Sequence, residues 1–190
     1  RECAFVADLA PLSALGSAMP RSQRFAALTL AENPSLGLAS LSLPPGAAAP
    51  RIGLDLPGPG RWVETPGRSA FWTGPEQWMI EFPGQADQDV AALLVQEAPG
   101  CAITEQTDGF VAFDLEGPEA AVLAVLEKLV NIDLRAFGPG YATRTGLHHM
   151  AVFVIRRGAG KVSFLGMRSA AGSLWHVLAS AVARQEGLMG

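Results

Sequence analysis

Three histidines, two cysteines and a few Gly- and Asp-bearing turns are the residues of this 190-residue chain whose types suit chemistry. His148 and His149 are neighbours in a stretch that reads as a strand. Successive strand side chains point to opposite faces, so the pair is poorly placed to share one metal ion. His176 stands apart on a predicted helix. Cys3 and Cys101 are too few for a disulfide framework or a thiolate metal site, and read as two free thiols. The run Gly158-Ala159-Gly160-Lys161 resembles the end of a phosphate loop. However, Ile155 occupies the place of its first glycine, Val162 that of its Ser or Thr, and the lysine falls in a hairpin turn. No full dinucleotide-binding glycine pattern is present, so a Rossmann site is unsupported. Ser173 follows Gly172 without the rest of a nucleophile elbow and falls inside a helix. Glu105 and Asp108 form a possible acid pair, though acids in turns commonly serve the backbone. None of these residues is assigned a catalytic, cofactor-binding or metal-ligating role.

The elements that would position such residues follow from apolar spacing and breakers. Residues 1–50 read as an N-terminal extension with short strands at 27–30 and 36–43, closed by a Pro- and Gly-rich loop. Residues 51–190 read as a single α+β domain. Apolar and aromatic runs at 69–72 and 77–82 flank Gly74-Pro75-Glu76, which predicts a hairpin. Asp87 and Asp89 open a helix with Val90, Leu93 and Leu94 on one face, and Pro99-Gly100 stops it. Strands are expected at 101–105 and 110–115, around Thr107-Asp108-Gly109. A second helix starts at Gly117-Pro118-Glu119, with Pro118 at its first position and Val122, Val125, Leu126 and Leu129 as its apolar face. A hairpin of 147–155 with 161–165 and a third helix capped by Ser169 complete the pattern. This order predicts antiparallel sheets with helices packed on one face.

Composition narrows the function classes. Charged residues make up 17% of the chain, against about 25% in an ordinary soluble domain. Mean hydropathy is +0.24. Such a chain has a large core or hides surface against a partner. The net charge of −4 and the lack of a basic run argue against nucleic-acid binding. No stretch approaches the ~20 apolar residues that span a bilayer, and the N-terminus, with Glu2 and Asp8, does not read as a secretion signal; a cytoplasmic, membrane-free protein is expected. A partner surface is sought in Phe5, Leu9, Leu12 and Leu15, an apolar stripe that Pro11 interrupts, and in Trp72 and Trp78 beside the first hairpin turn. For the four tryptophans, core packing and interface burial both stand as readings.

Five segments, in order, carry a resemblance: 70–78 (AFWTGPEQW), 103–109 (ITEQTDG), 128–134 (KLVNIDL), 140–146 and 168–176 (RSAAGSLWH). They resemble the gamma subunit of heterotetrameric sarcosine oxidase and span residues 56–184. More distantly, Gly117-Pro118-Glu119-Ala120, Asn131 to Leu134 and Gly138-Pro139-Gly140 resemble the first domain of the glycine-cleavage aminomethyltransferase. The resemblance implies that T-protein-like folate-binding-domain fold. It also implies a non-catalytic role beside alpha, beta and delta subunits, with FAD, FMN, NAD, tetrahydrofolate and zinc carried by those partners. Where the aminomethyltransferases place an acidic pair on the strand after that loop, this chain has Met150 and Ala151. A thioether and a methyl cannot charge-stabilise a folate amine, so the resemblance implies fold without chemistry. A free-standing folate-binding or folate-dependent aminomethyltransferase-like enzyme is the alternative.

Overall fold

The computed structural model describes residues 11–187. Eleven strands and three helices occur among them: β1 (Ser22–Arg24), β2 (Thr29–Glu32), β3 (Leu36–Ser42), β4 (Trp62–Thr65), β5 (Arg68–Gly74), β6 (Gln77–Pro83), α1 (Val90–Glu97), β7 (Ala102–Glu105), β8 (Phe110–Glu116), α2 (Glu119–Leu129), β9 (Tyr141–Leu147), β10 (Met150–Gly158), β11 (Lys161–Met167) and α3 (Ala171–Gly187). They form two antiparallel sheets, ordered β1-β2-β8-β11-β10-β9 and β4-β5-β6-β3-β7.

Strand alternation builds three cores from these sheets. On β6, Met79 and Glu81 face the other sheet, while Trp78, Ile80 and Phe82 face away, toward α1. On β10, Phe153 and Ile155 face the other sheet, while Val152 and Val154 face α2 and α3. The result is four layers: α2 and α3, the six-stranded sheet, the five-stranded sheet, and α1. Each sheet carries helices on one face and its partner sheet on the other, the arrangement expected for α+β packing.

Several elements fall where the sequence places them. The β5–β6 hairpin turns through Gly74-Pro75-Glu76, and Glu76 adopts φ 55°. Asp89 caps α1, its Oδ1 accepting the Ala92 N–H at 2.9 Å. The second helix presents Val122, Val125 and Leu126 to the core.

Other details differ. Leu93 is 43% exposed, because Ala91 rather than Leu93 completes the buried face of α1. Pro118 sits at the cap of α2, one residue before the helix. A 3-10 turn over Arg168–Ala170 contains Ser169, and α3 begins at Ala171. β7 and β8, consecutive in sequence, belong to different sheets; the 3-10 turn Thr107–Gly109 is the crossover. His148 and His149 are not strand residues. They form the two-residue turn between β9 and β10, with Leu147 opposite Met150 and His148 at φ 52°. Residues 1–50 contribute β1, β2 and β3. Of these, β2 pairs with both β1 and β8, and β3 lies between β6 and β7 inside its sheet.

Candidate functional site

Among the described residues, the inter-sheet layer holds a concentrated cluster of polar side chains. Glu81 on β6 is fully buried. Arg157 on β10 crosses from the opposite sheet, its Nη1 and Nη2 donating to the two Glu81 oxygens at 2.9 and 2.7 Å. Trp62 Nε1–H and Ser69 Oγ–H also donate to Glu81, at 2.9 and 2.5 Å. Arg157 Nε donates to Ser163 Oγ at 2.6 Å; Ser163 donates on to Asp114, whose other oxygen accepts from Asn33 at 3.2 Å. The guanidinium carbon lies 5.2 Å from the Trp62 ring centre.

Burial is the largest single influence on Glu81 and pushes its carboxyl up. The Arg157 charge and the hydrogen bonds from Arg157, Ser69 and Trp62 together outweigh it and hold the group below its ordinary value. Burial is the largest influence on Arg157 and pulls it down; the Glu81 charge and hydrogen bonds, with the Asp114 and Glu64 charges, together outweigh it and hold the group above its ordinary value. A carboxylate whose two oxygens accept four hydrogen bonds has little capacity left to act as a base. The network is a clamp between sheets, and single-sequence reading missed it because its hydrogen-bonded partners lie as far as 81 residues apart.

The cleft mouth beside this layer is where Met150 and Ala151 fall. Strand alternation sends them to opposite faces. Met150 packs into the core under α2 and α3. Ala151 is exposed on the inner face of β10, opposite Gly146 and two residues before Phe153. Phe153 contacts Phe110 and Phe71 at ring separations of 6.3 and 5.1 Å. Ala151 supplies only a methyl here. The shelf is apolar and aromatic, bounded by Met167 opposite Phe110 and by Arg144 over Phe153. Phe110 also helps line a cavity of about 320 Å³, with Leu36, Leu38, Thr107, Asp108 and Arg168.

The remaining residues named from sequence scatter. Glu105 accepts from Thr107, Gln106 and the Ala91 N–H, and so ties β7 to the start of α1. Burial acts on it most strongly and upward, but these hydrogen bonds hold it below its usual value. Glu105 is therefore a structural acceptor, not half of an acid pair. Gly160 lies in the β10–β11 turn, where a Cβ would run into the Gly117 carbonyl oxygen. The phosphate-loop likeness reduces to that close approach. Cys101 is half-buried, and burial raises its thiol pKa. Among the described residues, no three His, Cys, Asp or Glu side chains converge to hold a metal ion. No helix among them is long and apolar enough to cross a membrane.

Of the residues sought for a partner surface, Phe5 and Leu9 lie outside the described residues. Leu12 is exposed. Leu15 is half-buried against the helix-side core, its N–H donating to Glu32. Trp78 is buried in the chain's own core and donates to the Pro57 carbonyl at 2.7 Å, which leaves it almost no surface for a partner. Trp72 packs half-buried beside that core. Trp62 and Trp175 are also buried.

These layers define an aminomethyltransferase-like α+β fold of the folate-binding-domain type. A chain of the heterotetrameric sarcosine oxidase from Corynebacterium sp. U-96, in complex with pyrrole 2-carboxylate, is similar: the TM-score is 0.73 at 24% identity, over 84% of this chain and 85% of that one. The glycine cleavage system aminomethyltransferase T from Bartonella henselae is similar with a TM-score of 0.57 at 16% identity, over 80% of this chain. The match covers 48% of the aminomethyltransferase, so this chain spans about half its length. No family model and no curated protein sequence matches the chain.

Proposed function

We propose that this chain is a non-catalytic gamma subunit of a heterotetrameric sarcosine oxidase. In that role it assembles or stabilises flavin-bearing subunits in the cytoplasm. The observation that carries the reading is the reciprocal coverage with a chain of such an oxidase, 84% of one and 85% of the other. The match takes in most of both chains, whereas the aminomethyltransferase is matched over only part of its length. The loss of an acid at the cleft mouth, where Ala151 stands, agrees with a scaffold that has kept its layers and given up folate chemistry. The fully buried Glu81 carboxylate is committed to Arg157, Ser69 and Trp62.

In this reading the alpha, beta and delta subunits are the partners, and they carry FAD, FMN, NAD, tetrahydrofolate and zinc. Co-expression with flavin-bearing subunits of such an oxidase tests it. The tagged chain is expected to retain a yellow, flavin-containing complex through affinity and size-exclusion steps. A chain that elutes alone, while the other subunits assemble without it, overturns the proposal. Calorimetry with tetrahydrofolate on the isolated chain is expected to give no heat; saturable binding would favour the free-standing folate-binding alternative.

A further inference from the structure

A cavity of about 430 Å³ opens between the last turn of α2, the face of α3 and the β9–β10 turn. Lys128, His148, His176 and Arg184 line it, with no carboxylate among its lining residues. Elsewhere Arg68, Arg135, Arg156, Arg157 and Lys161 are matched by acids. Lys128 and Arg184 form no ion pair among the described residues. The helix dipole accounts for a cation in the last turn of each helix separately. It does not account for their meeting on one cavity with two of the chain's three imidazoles, in a protein of net charge −4.

Spacing gives the site its length. His176, Ser180 and Arg184 recur every four residues, so they form one ridge along α3. At ~1.5 Å per residue, that ridge runs on the order of 12 Å. A lone phosphate would reach one end of it; a chain of linked phosphates would reach both. Lysine and arginine supply charge-assisted donors, and Ser180 adds a hydroxyl.

We propose that this groove is a binding site for an oligophosphate anion, held by Lys128 and Arg184 at its cationic walls and by His148, His176 and Ser180 between them. The site is independent of the subunit reading above, and either can fail without the other.

Isothermal titration of the whole chain with inorganic tripolyphosphate at low ionic strength tests it. Saturable binding is expected, weakened at least tenfold in the Lys128→Glu/Arg184→Glu variant. Both side chains are exposed, so that variant is expected to keep the wild-type circular dichroism spectrum. Arg51→Glu is the charge control, since Arg51 has no ion pair among the described residues and lies outside this cavity. Its affinity is expected to stay within twofold of wild type. Proton NMR supplies a second readout: the His148 and His176 imidazole resonances are expected to move on titration, while those of His149, which lines a different cavity, stay in place. No saturable binding, an equal loss in Arg51→Glu, or movement of His149 alone would overturn the proposal.

Discussion

At the scale of single residues, the Glu81–Arg157 pair decides most. Among the described residues, Arg157 is the charge that compensates Glu81, a carboxylate with no exposed surface. Removing one partner of a buried pair strands the other, a loss of roughly 3–5 kcal/mol; replacing both with well-packed apolar groups is often close to neutral. Arg157→Met is therefore expected to lower the urea midpoint sharply, and Glu81→Leu/Arg157→Met to recover most of that loss. Chemical denaturation of both variants checks this, and additive losses would deny the pair its coupling. The same pair sets an acid limit. Because the folded state holds Glu81 below its ordinary range, the unfolded chain takes up its proton at higher pH than the folded chain does. The stabilisation is complete above about pH 4.3 and is lost as pH falls through the lower, folded value. Glu97 and Glu105 are shifted in the same direction and remain in a Glu81→Gln variant. The wild type is thus expected to lose stability more steeply than Glu81→Gln as pH drops below about 4.3, measured by denaturation at a series of pH values.

At the scale of elements, a close backbone approach joins the β10–β11 turn to the start of α2. Gly117 N–H donates to the Gly160 carbonyl at 3.0 Å, and a side chain at Gly160 would collide with the Gly117 carbonyl. Gly160→Ala is expected to cost about 1–3 kcal/mol, as overpacking does, with a matching fall in thermal midpoint. Ala159→Gly next to it, at an exposed position, is expected to cost far less. The glycine was legible in the sequence, but its partner was not, because that partner lies across a helix start and two strands. The same limit explains the other differences. The apolar and aromatic run Trp-Met-Ile-Glu-Phe after a Gly-Pro turn declares β6, and the Asp89 cap declares α1, because both signals are local. β9 is Tyr-Ala-Thr-Arg-Thr-Gly-Leu, too polar on one face to stand out, and its turn to β10 lacks the Asn-Gly or Gly-Gly that announces a two-residue hairpin. With β9 hidden, His148 and His149 were expected on a strand. The passage of the chain from one sheet to the other at Thr107–Gly109 has no local signature at all, so antiparallel sheets were foreseeable but not their number or order.

At the scale of the whole molecule, a chain poor in charge must be reconciled with its surface. Three cores absorb most large apolar side chains, and among the described residues Leu12, Met19, Leu93, Val95 and Met167 remain exposed. Leu93 and Val95 lie on α1, outside the five-stranded sheet. Leu12 and Met167 belong together: the Arg168 guanidinium donates to the Leu12 carbonyl at 2.9 Å, directly after Met167 ends β11. Met167 also pairs with Phe110 across the strands, so this patch continues into the aromatic shelf beside Ala151. A contiguous apolar rim at a cleft mouth is the kind of surface that a partner subunit covers, whereas a single exposed Leu on a helix is ordinary. The Leu12→Glu/Met167→Lys variant should therefore separate folding from assembly. Substitution at exposed positions usually changes stability by no more than about 0.5 kcal/mol, so its thermal midpoint is expected to stay close to wild type. Recovery of the flavin-containing complex on co-expression is expected to fall several-fold, because charge is carried into an apolar contact. The Leu93→Lys/Val95→Glu variant, matched in exposure and charge, is expected to assemble normally. Loss of assembly in the α1 variant alone would move the partner surface to the opposite outer layer of the sandwich.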